Sequence, residues 1–319
     1  MEIILARPRG FCRGVVRAID IVERILTLQD APVYVLHEIV HNRHVVENLK
    51  ERGALFIENI EDVPSGAMVI FSAHGVSDAV VRRAKERRLR VVDATCPLVK
   101  KVHFRARKYG RKGREVIIIG HQGHPEVEGT MGCVNGPLHV VSTMSEVSKL
   151  RVEDAGSLAY VTQTTLNTMD AGRIIAALKR RFPGIKGPGL KDICYATQSR
   201  QEAVHRLTRD VDLLLVVGSR NSSNANRLRE VGEQSGRLSY LIEDARDINP
   251  AWFVNIHCVG VTAGASAPEF LVEGVVERVQ DMVTIRVREM DASSEATLPH
   301  GWGIEFSRRP RGEPSMDSL

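Results

Sequence analysis

Short apolar runs separated by amphipathic stretches constrain this chain more than any other feature. The runs fall at residues 3–6, 33–36, 68–71, 91–92, 116–119, 158–161, 213–217 and 258–261. Most are β-branched and do not alternate with polar residues, as expected of strands covered on both faces. Helical periodicity follows several of them, at residues 15–28, 42–52, 80–87, 171–182, 201–209 and 268–282. The alternation reads as βα units, and so as an α/β fold with mostly parallel sheets. Ser199 with Glu202 and Ser266 with Glu269 fit capping boxes at two helix starts. Pro97 and Pro268 suit first helical turns, and Gly53 suits a helix end.

Five cysteines, an odd number, do not suggest a disulfide framework. Cys12, Cys96 and Cys194 each stand between an expected strand and an expected helix, in LARPRGFCRG, VVDATCPLVK and KDICYATQSR. Two polar loops follow each of them. After Cys12 come VLHEIVHN and FSAHGVS; after Cys96, IGHQGHPEVEGTMG and VTQTTLNT; after Cys194, VGSRNSSNAN and VTAGASAPE. One thiol and two polar loops, three times over, predict three α/β modules, placed at 14–96, 97–193 and 194–282. Residues 1–13 would supply a strand and the first thiol and pack with the third module. Residues 283–319, rich in Ser, Pro, Gly and Arg, read as a short strand or two and a mobile end.

Ligands in open α/β sheets collect beyond the carboxyl ends of the strands. Three modules with those ends turned inward would bring three thiols and six loops together. Without C-x-x-C pairs, the thiols resemble neither a zinc ribbon nor a thioredoxin motif. Soft thiolates suit zinc or an iron–sulfur cluster, and three of them leave one iron of a four-iron cluster without a protein ligand. Free cysteines are also commonly just buried. Cys133 and Cys258, with no such company, are read that way.

The loops bear anion-binding chemistry. Ser222, Ser223 and Asn224 open one helix and Ser266 precedes another, where free amides and the helix dipole favour phosphate oxygens. His41, His74 and His124 stand beside glycine, asparagine or proline at strand ends and add donors. The stretch GHQGHPEVEGTMG has no lysine or arginine and is read as irregular loop. Its Glu126 would repel a diphosphate, so a proton relay is its expected role, with helix capping by Glu126 or Glu128 as the rival.

A formal charge of +5 is modest, and few aromatics accompany the basic runs at residues 82–83, 87–88, 179–181 and 308–311. Solvated helix faces explain those runs better than a nucleic-acid groove. Nothing approaches the ~18 apolar residues of a membrane span, so a cytoplasmic chain is expected.

ARPRGFCRGV, HEIVHNRHVV, FSAHGVS, DATCPLVKKVH, GHQGHPEVEGTMG, TQTTL, DICYATQSRQEAV, VGSRNSSNANRL and VTAGASAPEFLV resemble, in this order, the LytB/IspH family of 4-hydroxy-3-methylbut-2-enyl diphosphate reductases. The resemblance runs from residue 1 to about 282. It implies a trefoil of modules around a [4Fe–4S] cluster on Cys12, Cys96 and Cys194, with one iron lacking a protein ligand. It also implies diphosphate binding by His41, His74, His124, Ser222, Ser223, Asn224 and Ser266. Thr164 would lie near the substrate hydroxyl, and Glu126 and His124 would serve catalysis. The reaction would be a two-electron reductive dehydroxylation to isopentenyl and dimethylallyl diphosphate, the last step of the non-mevalonate route. A flavodoxin- or ferredoxin-type protein would feed electrons. Two rivals stand beside it: a zinc-dependent hydrolase of a phosphorylated substrate, and a non-catalytic iron–sulfur sensor.

Overall fold

The computed structural model describes residues 1–28 and 32–291. Arg308, Arg309, Arg311 and the end expected to be mobile lie outside the described residues. The first section holds β1 (Glu2–Leu5), α1 (Arg13–Leu28), β2 (Val33–Leu36), α2 (Arg43–Glu51), β3 (Ala54–Ile57), β4 (Met68–Phe71), α3 (Asp78–Glu86) and β5 (Arg90–Asp93). The second holds α4 (Pro97–Arg111), β6 (Glu115–Ile119), α5 (Pro125–Met131), β7 (Leu138–Val141), α6 (Met144–Lys149), β8 (Leu158–Thr162) and α7 (Thr168–Arg181). The third holds α8 (Tyr195–Leu207), β9 (Leu213–Val217), α9 (Ser223–Gln234), β10 (Leu238–Ile242), β11 (Cys258–Ala263), α10 (Glu269–Gln280) and β12 (Arg286–Glu289).

These strands make three sheets, ordered β3-β2-β4-β5, β7-β6-β8 and β10-β9-β11-β1-β12. Every pair is parallel. The architecture is α/β in three modules, as the alternation implies. β9 shows why its run is wholly apolar: Leu213, Leu215 and Val217 enter one core, Leu214 and Val216 the core on the opposite face. β6 divides likewise, Ile117 and Ile119 from Val116 and Ile118. Burying each such side chain stabilises by roughly 1.5–3 kcal/mol, so a polar replacement at any of these apolar positions would be costly.

β1 joins the sheet of the third module, between β11 and β12. It carries the chain from that sheet across to α1, whose apolar face packs with β2 and β4 of the first module.

Several local expectations need correction. Residues 120–132 are not all irregular, because α5 occupies Pro125–Met131, with His124 as N-cap and Pro125 in the first turn. Neither expected capping box forms. α8 begins at Tyr195, so Ser199 lies inside the helix and donates to the Ala196 carbonyl. α10 starts after Pro268, which has no amide hydrogen, and Ser266 instead donates to the His41 carbonyl. The reciprocal box belongs to Thr143 and Glu146, at the start of α6. Cys194 does not follow a strand; α7 and a stretch with one bridge, Lys186 to Ala159, separate it from β8. Gly53 does follow the end of α2, at φ +101, where a side chain would be strained.

The basic run on α3 is a paired surface: Arg83 and Arg87 both bridge to Glu61. No helix among the described residues is long and apolar enough to cross a membrane.

Candidate active site

Cys12, Cys96 and Cys194 occupy the same local position three times. The carbonyl of each accepts the first intrahelical bond of the helix it precedes, from Val16, Lys100 and Gln198 at 3.0 Å. Each thiol therefore sits at the positive end of a helix dipole. Tertiary bonds fix the three backbones: Cys12 N–H donates to Ala265, Cys96 N–H to Ala73 and Cys194 N–H to Thr164.

Gly14 shows how tightly two of the sulfurs approach. A Cβ there would lie 2.8 Å from the Cys96 sulfur and 3.8 Å from the Cys12 sulfur. Cys12 also lies within electrostatic reach of both other thiols, raising each of them. Burial is the larger cause, and it pushes the Cys194 thiol up to about 11. Such thiols stay protonated until a metal displaces the proton. Among the described residues, no three His, Cys, Asp or Glu side chains converge on a point where one ion could be held. By type, three soft thiol donors at three helix starts suit zinc or an iron–sulfur group.

The Cys194 sulfur hydrogen-bonds the Thr197 hydroxyl at 3.1 Å, and Thr197 N–H donates to it at 3.3 Å. Asn224 supports that threonine: its amide donates to Thr197 Oγ1 at 3.2 Å while its carbonyl accepts from Ala265 N–H at 2.8 Å. In this state the Asn224 side chain ties the Cys194 turn to the Cys12 turn.

The histidines form one cluster. The rings of His41 and His74 stack at 4.1 Å, and His124 stands edge-on, 5.4 Å from His41 and 5.9 Å from His74. Burial pushes His74 well below the usual imidazole range, and the neighbouring imidazoles push it further. His124 is pushed down to about 3, mainly by burial. Its Nδ1 accepts from Glu126 N–H at 3.1 Å, which places the ring proton on Nε2. His41 Nδ1 faces Glu38 at 2.9 Å, and its Nε2 is buried without a partner among the described residues.

Glu126 is 2% exposed, a carboxylate at the start of α5 on which no cation acts among the described residues. Thr164 holds it: the N–H donates to Oε1 at 2.6 Å and the hydroxyl to Oε2 at 2.9 Å. Burial nonetheless wins and raises the carboxyl to about 7. The Thr164 carbonyl accepts from Cys194 N–H, so Glu126, Thr164 and Cys194 are joined in series. Helix capping is not the role of Glu126. Glu128 accepts from Gly123 N–H instead, and the cap is His124.

Ser222 caps α9 by accepting from Ala225 N–H. Ser223 bonds the Thr165 hydroxyl at 3.0 Å and accepts from Gln163 Nε2 at 3.3 Å. The Gln163 carbonyl also receives His121 N–H, so this glutamine links the histidine loop to the serine turn. Sequence reasoning passed over Gln163, Thr165, Thr197, Gly14 and Arg200. Only Gly14 left a signal, two residues beyond a cysteine at a helix start. Cys133 is buried, as expected, with its thiol pushed up to about 12 by burial.

Comparison with known proteins agrees with this architecture. A family model described as LytB protein matches residues 3–280. A 4-hydroxy-3-methylbut-2-enyl diphosphate reductase of Bordetella bronchiseptica is 57% identical over 303 residues, covering 94% of this chain and 93% of the relative. A relative of the same name from Nitrosomonas europaea is 54% identical, covering 97% and 99%. The solved E-1-hydroxy-2-methyl-but-2-enyl-4-diphosphate reductase of Plasmodium falciparum superposes with a TM-score of 0.87 at 36% identity, covering 93% of this chain and 95% of that one. The motifs, the fold and these relatives agree, and the chain belongs to the LytB family.

Proposed function

We propose that this chain is a cytoplasmic 4-hydroxy-3-methylbut-2-enyl diphosphate reductase, acting at the last step of the non-mevalonate route. The carbon–oxygen bond of the allylic alcohol breaks and the hydroxyl leaves as water. A carbon–hydrogen bond forms, and two electrons and two protons are consumed. Protonation at one of two carbons gives isopentenyl or dimethylallyl diphosphate. The electrons come from a small flavodoxin- or ferredoxin-type protein.

The observation that carries this reading is the series of Glu126, Thr164 and Cys194, a protonatable buried carboxylate bonded through one threonine to a thiol-bearing turn. A hydrolase has no need of three thiols, and a sensor has no need of a proton donor tuned to about 7. Cys12, Cys96 and Cys194 would hold a [4Fe–4S] group with one iron free of protein ligands. When bound, that group supplies electrons and Lewis acidity.

This chain's own residues do the rest. His124 Nε2–H, His41 and His74 face the diphosphate as ring N–H donors, with the Ser222, Ser223 and Ser266 hydroxyls beside them. Asn224 reaches the diphosphate only by releasing Ala265 or Thr197, so substrate binding and the Cys194 turn are coupled through it. Below about pH 7 Glu126 carries a proton, and the Thr164 hydroxyl, bonded to Oε2, sets its direction. A lysine in that loop would bind phosphate but hold Glu126 ionised, which explains why none is there.

The test is anaerobic purification with iron and sulfide counts, then turnover with reduced viologen and the alcohol diphosphate. We expect near-stoichiometric iron and sulfide and both five-carbon diphosphates. Zinc without sulfide would support the hydrolase, and a loaded but inert protein the sensor.

A further inference from the structure

Arg200 lies on α8, 4% exposed, with its guanidinium committed to main-chain carbonyls. Nε and Nη2 donate to the Gly10 carbonyl at 3.2 and 2.6 Å, Nη2 also to Phe11 at 3.2 Å, and Nη1 to Ala196 at 2.9 Å. All three acceptors are neutral. Arginine is seldom buried this deeply unless a carboxylate pairs with it, because removing the charge from water costs several kcal/mol. Among the described residues no Asp or Glu acts on it; the groups of opposite sign that reach it are Cys12, Cys194 and the Tyr195 hydroxyl.

Its position is as telling as its lack of a counter-ion. A helical side chain leans back towards the helix N-terminus, so the guanidinium reaches Ala196, two residues beyond Cys194. Its other face grips the carbonyls of Gly10 and Phe11, which immediately precede Cys12. The cation therefore bridges the two turns that present two of the three thiols. Hydrogen bonding accounts for its donors, but nothing in the thiol form of the protein accounts for its charge.

We propose that Arg200 is the built-in counter-charge of the thiolate-bound iron–sulfur group, holding the Cys12 turn against the Cys194 helix and raising the reduction potential of whatever those thiolates bind. This rests on the iron–sulfur reading above. Binding the group turns three neutral thiols into thiolates, and reduction adds a further negative charge. A fixed cation in a low-dielectric setting stabilises the more negative, reduced state. Arg200 is on this view a positioning residue that acts through the two cysteines and touches no substrate.

The test compares wild type with R200K, R200Q and R200M, each purified anaerobically as holoprotein and titrated potentiometrically with electron paramagnetic resonance as readout. R200K keeps the charge but lacks the planar fork, R200M keeps volume without charge, and R200Q keeps a donor without charge. At a fixed applied potential, we expect a reduced-to-oxidised ratio in R200Q and R200M at least tenfold below that of R200K, about 59 mV for one electron. R200K should titrate near wild type. A wild-type-like potential in R200Q overturns the proposal, as does a shift in R200K as large as in the neutral variants. If the neutral variants retain no iron while R200K does, the charge is required and the proposal stands. If R200K loses iron as well, the fork rather than the charge matters and the proposal falls. Wild type without iron and sulfide sinks the underlying iron–sulfur reading instead, which keeps the two failures distinct.

Discussion

Replacing Glu126 by glutamine separates its chemical role from its structural one. The fold holds this carboxyl at about 7 against an ordinary 4.5, with burial as the cause. At about 1.4 kcal/mol per unit, keeping it ionised inside the protein costs about 3 kcal/mol. The sign follows from the direction of the shift. Between pH 4.5 and 7 the folded chain retains a proton that the unfolded chain has released, so stability falls as pH rises through this window. Glutamine does not titrate. It can accept from Thr164 N–H through its oxygen and donate to the Thr164 hydroxyl through its amide, so the loop should keep its shape. The stability of E126Q relative to wild type should therefore climb by about 3 kcal/mol from pH 4.5 to pH 8, read as the difference between thermal midpoints across that range. Turnover should behave in the opposite way. Loss of a general acid lowers kcat by roughly 10²–10⁴, while calorimetric affinity for the diphosphate stays within about tenfold. Wild-type kcat should decline as pH rises past 7, and the residual activity of E126Q should show no such limb. A kcat for E126Q within tenfold of wild type would refute the relay. A pH-independent difference in thermal midpoint would refute the burial argument beneath it.

Three further outcomes follow from the same geometry. T164V removes the hydroxyl that favours the ionised carboxylate, so the alkaline limb should move to higher pH as kcat drops, visible in a pH–rate profile. Burial keeps His124 and His74 uncharged near neutrality, and an arriving diphosphate should reverse this. Binding at pH 7 should thus take up protons, measured by calorimetry in buffers of different ionisation enthalpy; no uptake would show that these rings bind as neutral donors. G14A would drive a methyl group into the Cys96 sulfur, so it should lose iron while its far-ultraviolet circular dichroism matches wild type, whereas C258A should keep its iron.

Strands flanked on both sides were plain in the sequence, because β4, β6, β9 and β11 must be apolar on each face. β3, β7 and β10 escaped notice; each is an edge strand of its sheet, and unlike the buried edge strand β8 each leaves side chains exposed or partly exposed. Half-covered strands admit exposed residues such as Leu55 and Leu238 or partly exposed ones such as His139, and the apolar run is broken. α5 was concealed by its brevity and its glycine, although Pro125 and the acidic residues of its first turn were visible. The misplaced start of α8 has a chemical origin: at Cys194 a sulfur performs the capping usually left to Ser, Thr or Asp, accepting from Thr197 N–H. Within the site, cysteines, histidines and Glu126 announced themselves by residue type. Gln163, Thr197 and Arg200 did not, since the partners that reveal their roles (His121 and Ser223, Asn224, and Gly10 and Phe11 respectively) come from other segments of the chain, and no local pattern marks them.

The placement of β1 also bears on how the protein comes into being. This strand, which steers Cys12, has as its neighbours β11 and β12, made some 250 residues later. Made before either of its partner strands, it must wait unpaired while two modules fold behind it, and pairing across so long a separation is slow. On the iron–sulfur reading proposed above, assembly of the cluster would thus act as a checkpoint on completed synthesis: a chain lacking β11 would have no partner strand to seat its first sulfur, and should not retain iron.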